Sequence, residues 1–307
     1  MAHMLPYQPG ILNDVPAHGR YLTFRLRGDV LALGGAPSPT LGRTLRAVAD
    51  AVDGRQVVLG AGPSLVRALG AEVPGLHELA PRVGPGVDVP STPAALWLWL
   101  RGDNAGELLQ TGRRLEALAA PAFAIVDRAL AFRFTDGRDL SGYVDGTENP
   151  TGDEALAAAF AQGVGPGLDG GSLVAVQRWR HDLTAFHALD AQERDHTIGR
   201  RHNDNEELED APAWAHVKRT AQESFEPEAF VLRRSMPWAD PAGEGLIFTA
   251  FGATLAAFET LLDHMVGVDD GVVDALFRFT HPETGATFWC PPLDPATGHP
   301  DLRALVL

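Results

Sequence analysis

Two stretches of this sequence place acid–base or ligand side chains in settings that restrain them. In "SGYVDGTENP" (141–150), two glycines, a proline, an asparagine and two carboxylates surround one aromatic residue. The glycines and Asn149-Pro150 read as a turn or loop, with Asp145 held just before Gly146 and Thr147. Most Asp-Gly aspartates do no more than form a turn. A carboxylate fixed this way is also suited to accept and return a proton. In "AWAHVKRT" (213–220), His216 follows a Pro- and acid-rich loop and is flanked by Trp214, Ala215 and Val217. An isolated histidine in apolar company is more often a satisfied core residue, and an imidazole is also a common metal ligand. The two stretches alone leave both questions open.

Other chemistries lack their signatures. "GAGPSLVRALG" (60–70) starts like a dinucleotide fingerprint but has Leu65 where the third glycine belongs. The chain has no P-loop, no HExxH and no GxSxG. "NEELEDAP" (205–212) is a charge run of the kind that is usually a solvated loop. None of the eleven histidines is paired at helical metal-ligand spacing, and the single cysteine, Cys290, excludes an internal disulfide or a Cys-rich metal site.

Periodicity supplies the elements that must carry these residues. "RYLTFRLRG" (20–28) alternates apolar and polar residues, which predicts a strand with one wet face. "TLGRTLRAVADAV" (40–52) has helical spacing, with Thr40 as candidate cap. "AALWLWLRG" (94–102) reads as strand, "AGELLQTGRRLEAL" (105–118) as helix and "AIVDRALAFRF" (124–134) as strand. Between them, "GLHELAPRVGPGVDVPSTP" (75–93) reads as a long loop. The second half has a similar order: strand in "GGSLVAVQRWR" (170–180), helix in "LTAFHAL" (183–189), strands in "AFVLRRSM" (229–236) and "EGLIFTAFG" (244–252), then the strong helix "ATLAAFETLLDHMVG" (253–267). The expected fold is α+β: two tandem ferredoxin-like halves, residues 1–138 and 139–307, with antiparallel sheets and helices packed on their faces. Asp145 then falls at the seam between the halves, a favoured place for cofactors and small ligands.

The 307 residues are 45% hydrophobic and 21% charged, a globular composition. A net charge of −15 opposes nucleic-acid and anionic-membrane partners. No apolar run approaches the ~20 residues of a membrane span, and no signal peptide opens the chain. Cytoplasmic residence is expected. "MAH" before Met4 reads as an addition, with "MLPYQPGIL" as the natural start.

Taken together, these stretches resemble the dye-decolourising peroxidases, a family of haem b enzymes, and among them the bacterial B class. Gly142, Asp145 and Gly146 match the family's GxxDG signature, which "TENP" extends. "GGSLVAVQRWRHDL" (170–183) matches the strand that follows, and "IGRRHNDNEELEDAPAWAH" (198–216) matches the segment ending in the axial histidine. "VLRRSMPW" (231–238) matches the distal-arginine segment; "GLIFTAFGATLAAFETLLDHMVG" (245–267) and "LFRFTHPETGATFWCPPL" (276–293) match the closing strand, helix and tail. The resemblance is strongest from about residue 135 onward.

It implies a haem peroxidase that uses hydrogen peroxide to oxidise dyes, phenols or similar small donors through a ferryl intermediate. The alternative is a haem-handling protein with incidental peroxidase activity. His216 would ligate the iron of a non-covalent haem, with Asp274 of "DGVVDALFRF" on its far nitrogen or else a plain surface aspartate. Arg200 would pair a propionate. Gly146 and Thr147 would lie at the cofactor, and Leu246 and Phe248 would face it or serve as ordinary core. Asp145 and Arg233 would be the distal acid–base and cationic groups. Ser235 stands where many B-class members have asparagine, which points to the serine-bearing branch. The long linker and Gly-Ser-Leu tail of encapsulin-packaged members are missing, so a shell partner is not expected; a homo-oligomer is left open. Six tryptophans and three tyrosines are available for electron transfer, and none is assigned that role. Trp97 and Trp99 point the same way along their strand, as core residues do.

Overall fold

The computed structural model describes residues 6–30 and 38–305; the expected start at Met4 lies outside them. The first half contains β1 (His18–Leu26), α1 (Pro39–Ala49), β2 (Val57–Ala61), α2 (Pro63–Ala68), β3 (Arg82–Gly84), β4 (Val87–Val89), β5 (Leu96–Gly102), α3 (Ala105–Ala119) and β6 (Phe123–Phe132). The second contains α4 (Gly152–Ala159), β7 (Ser172–His181), α5 (Leu183–Ala188), α6 (Ala191–Ile198), α7 (His216–Arg219), β8 (Leu232–Arg233), β9 (Met236–Asp240), β10 (Gly243–Gly252), α8 (Ala256–Val266), β11 (Thr280–Pro282) and β12 (Ala286–Cys290).

Eight strands form a ring in the order β7–β12–β2–β5–β1–β6–β9–β10, and β10 pairs back onto β7. The pairings are antiparallel, with β11 attached to β7 and β8 to β10. Two narrow joints close the ring: Trp289 meets Ala61 between β12 and β2, and Ala131 meets Trp238 between β6 and β9. The expected antiparallel sheet with helices on its faces is present. The difference is that the strands of both halves share one barrel-like sheet.

Strand alternation sorts the side chains into three cores. On β5, Leu96, Leu98 and Leu100 face outward and pack with Leu41 and Leu45 of α1 and Leu115 of α3. Trp97 and Trp99 face the lumen, with Tyr21, Trp238, Phe251 and Phe288. On the outer face of the second half, Phe258, Leu261 and Leu262 of α8 pack near Trp179 and Ala250. Full burial of one large apolar side chain contributes about 1.5–3 kcal/mol, so the filled lumen stiffens the strands that line it.

Three local expectations change. Gly19–Leu22 is buried on both faces of β1, because helices cover one face and the lumen the other. The first helix begins at Pro39 with Ser38 as its cap, leaving Thr40 inside the first turn; proline suits that position because its missing N–H would have no partner there. The stretch 229–236 forms only the two-residue β8 before β9 starts at Met236. Asn149 takes over the ladder there: its Nδ2 donates to the Arg233 carbonyl at 3.0 Å, and its Oδ1 accepts from the Arg233 N–H at 2.8 Å. The 75–93 loop also contains the short β3–β4 hairpin, turned at Gly86 in the left-handed region (φ +74°).

Candidate functional site

A cavity lies on the outer face of β7 and β10, between that sheet and α8. Its walls are largely apolar: Leu246 and Phe248 of β10 face Phe258, Leu261, Leu262 and Met265 of α8. Leu246 and Phe248 share this face because strand side chains repeat every second residue.

His216 opens α7 and enters the cavity wall from one side. Its Nδ1 lies 2.7 Å from Asp274 Oδ2. The Asp274 side chain is fully buried, so it is not a surface aspartate. Its second oxygen accepts from Leu276 N–H at 2.8 Å and caps a short 3-10 helix (Ala275–Arg278). The preceding N–H, from Ala275, bonds the Trp214 carbonyl at 2.8 Å, and the Arg278 guanidinium sits 4.1 Å over the Trp214 ring. With Nδ1 engaged, Nε2 is the nitrogen left for a ligand in the cavity.

Asp145 and Arg233 also line this cavity. The loop carrying Asp145 needs both of its glycines. Gly142 has φ +90°, and a Cβ there would lie 2.8 Å from His202 Nε2. Gly146 has φ +80°, and a Cβ would lie 2.8 Å from Nδ2 of Asn149, the residue that clamps Arg233. The loop and the arginine are thus fixed by one asparagine. Asp145 and Arg233 line a second, polar cavity as well, together with Gly146, Asn149 and Ser235. They therefore form part of the boundary between an apolar slot and a polar basin.

Asp145 borders open cavity space and keeps some accessibility, yet protein atoms crowd its carboxyl. Burial pushes its pKa above the ordinary carboxylate value, helped by the charge of Asp139. The charges of Arg233 and His216 and the Gly146 N–H oppose this, without prevailing.

The sequence-derived residues separate into groups. The first cavity brings together Asp145, His216, Arg233, Leu246 and Phe248, with Asp274 behind His216. Gly146 and Ser235 line the second cavity, where Ser235 Oγ accepts from Thr249 N–H at 3.4 Å. Thr147 is on neither lining; its Oγ1 accepts from Asn205 Nδ2 at 2.9 Å. Arg200 is on neither lining either. Its guanidinium bonds Glu148, reaches Glu207 at 3.5 Å and donates to the Asn205 carbonyl at 2.9 Å.

Sequence reasoning missed Asp139, Gln177 and His181, all on the cavity wall. Gln177, Trp179 and His181 occupy alternate positions of β7, so the period-two spacing was the available signal. Arg233 Nε and Gln177 Nε2 are buried without a protein partner. A large apolar slot, an imidazole with one free nitrogen and two unpartnered buried donors fit a flat macrocycle with a ligand-accepting metal and polar edges.

Comparison with known proteins follows the same direction. A family model described as "Dyp-type peroxidase, C-terminal" matches residues 136–295. The chain is 32% identical over 235 residues to a dye-decolorizing peroxidase of Mycolicibacterium paratuberculosis, covering 75% of this chain and 66% of that protein. The match thus spans just under two thirds of that relative's length. Among solved structures, a Rhodococcus jostii RHA1 DypB variant in complex with heme aligns with a TM-score of 0.79 and 28% identity, over 94% of this chain and 97% of that one. The encapsulated DyP-type peroxidase of Mycobacterium smegmatis aligns with a TM-score of 0.81 and 25% identity, over 94% and 96% of the two chains.

Proposed function

The chain belongs to the Dyp-type peroxidase family, and from that premise we propose that it is a haem peroxidase using hydrogen peroxide to oxidise dyes, phenols or similar donors. The observation that carries the reading is the convergence on one cavity of His216, backed by buried Asp274, with Asp145 and Arg233. A protein that only carried porphyrin would need no carboxylate and cation together at the binding slot, so the haem-handling alternative is not favoured.

When bound, haem b would supply an iron centre that accepts oxygen from peroxide and returns to rest by taking electrons from donors. His216 Nε2 is the proposed iron ligand. Asp274 fixes the imidazole's tautomer and orientation and makes it a stronger donor through Nδ1–H. Leu246 and Phe248 offer the apolar wall for the macrocycle. Arg200, already shaped round carboxylates, is the proposed partner of a propionate, with Gly146 and Thr147 on the adjoining loop. Asp145 takes the proton from the nearer peroxide oxygen and delivers it to the farther one as the O–O bond breaks. Arg233 stabilises the negative charge that develops there. The second cavity supplies a polar approach to both groups, with Ser235 on its wall.

Several finer readings belong to the same proposal. The strand orders β6–β1–β5–β2 and β12–β7–β10–β9 correspond, strand for strand in chain order within each half, which supports two ferredoxin-like units at 1–138 and 139–307. Ser235 supports the serine-bearing branch of the B class. The lone cysteine, Cys290, is buried and supports a cytoplasmic setting. No helix among the described residues is long and apolar enough to cross a membrane.

The test is peroxide-dependent oxidation of an anthraquinone dye by the haem-loaded protein. Turnover that requires haem and saturates with peroxide supports the proposal. A haem-loaded protein no faster than free haem overturns it.

A further inference from the structure

We propose that Asp139 and His181 form a positioning pair that fixes the place and the charge surroundings of Asp145. This rests on the peroxidase reading of Asp145 and extends it to two residues outside the proposed acid–base and ligand set.

Asp139 ties its loop from both ends of the residue. Its Oδ2 accepts from Ser141 N–H at 2.9 Å, its N–H donates to the Tyr143 carbonyl at 2.9 Å, and its carbonyl accepts from Gly142 N–H at 2.9 Å. Its remaining oxygen, Oδ1, lies 2.9 Å from His181 Nε2. His181 ends β7, and its Nδ1 lies 2.6 Å from Thr280 Oγ1 on β11. The pair therefore bolts the Asp145 loop to the rigid sheet. Both nitrogens of His181 are occupied, so it serves as a strut and is not free to act as a ligand or base.

Asp139 and His181 line the same cavity as Asp145. Burial acts to raise the Asp139 pKa, but the bond and charge of His181, with the Ser141 contact, outweigh it and keep the group below its ordinary value. A held negative charge near Asp145 disfavours a second one. The groups acting on Asp145 are then Arg233 and His216, which favour its ionised form with the Gly146 N–H, and Asp139, which opposes it. The sign is fixed. Removing the Asp139 charge while keeping its shape makes Asp145 easier to ionise.

Asp139→Asn and His181→Gln in the haem-loaded protein test this, with Asp145→Asn as reference. Two quantities are followed against pH: the rate with one equivalent of peroxide, and the equilibrium affinity of fluoride for the ferric haem, which needs no turnover. Asp139→Asn should move the acid midpoint of both to lower pH, raising the peroxide rate severalfold at a fixed pH on the acid limb. His181→Gln should move the midpoint and broaden the transition, with haem content kept. Unchanged midpoints in both variants, while Asp145→Asn still loses the acid limb, would overturn the positioning role and leave the peroxidase reading standing. A wild-type profile in Asp145→Asn would overturn the reading itself.

Discussion

His216 Nδ1 and Asp274 Oδ2 lie 2.7 Å apart, and Asp274 commits its other oxygen to the N–H of Leu276. The carboxylate is anchored on the backbone before it meets the imidazole, so it cannot rotate away without uncapping a helix. Such an arrangement sets the direction and basicity of the free nitrogen.

Asp274→Asn should weaken this support while leaving the fold in place, since the amide oxygen still caps Leu276. Loss of a carboxylate behind a ligating histidine typically costs about 10–100-fold in affinity or activity. The expected result is lower haem affinity and a higher iron reduction potential, measured by haem transfer to apomyoglobin and by spectroelectrochemistry.

His216→Ala should lose most haem, or hold it without the axial bond. Resonance Raman of the ferrous protein is the check: the iron–histidine stretch should vanish. The residue is only partly exposed and linked to Asp274, so a stability scan of the haem-free variant should accompany it. There the buried carboxylate, left with the Leu276 N–H alone, should cost about 1–3 kcal/mol.

Arg233→Leu should slow the reaction with peroxide by about a hundred- to thousandfold, the usual value of one charge-stabilising donor. Arg234→Leu should behave differently. The Arg234 guanidinium donates to the carbonyls of Ile11, Leu12 and Arg233, so its loss should lower Tm and leave the rate per bound haem largely intact. Rapid mixing beside calorimetry separates the two.

Asp145→Asn should make the haem-free protein more stable at neutral pH. Burial holds the Asp145 carboxyl above its ordinary value, so its ionised form weakens the fold. That penalty is complete above the raised folded pKa and disappears below the unfolded value near ~3.9. The gain from asparagine should therefore fade as pH falls through this window, which urea unfolding at several pH values would show. In the loaded protein the same substitution should slow the peroxide reaction and remove its acid limb, because an amide accepts no proton.

The sequence showed much of this site because its restraints are local. Gly142, Gly146 and Asn149 announced a turn, and each does hold Asp145 or Arg233 in place. The alternation of Leu246 and Phe248 put both on one face. Closure of the sheet was not legible, since each joint rests on one pairing between strands far apart in the chain, Trp289 with Ala61 and Ala131 with Trp238. The Asp139–His181 contact spans 42 positions and follows from the fold alone. The competition of burial and charge at Asp145 also needed coordinates, because sequence gives the sign of each influence but not its distance.

The most direct measurement is rapid mixing of the haem-loaded ferric protein with one equivalent of hydrogen peroxide, without donor, followed across the Soret band. A fast, stoichiometric spectral conversion, reversed by two one-electron equivalents of a phenol, is the predicted result. Slow bleaching that needs excess peroxide, or a rate unaffected by Arg233→Leu and Asp145→Asn together, would contradict the account.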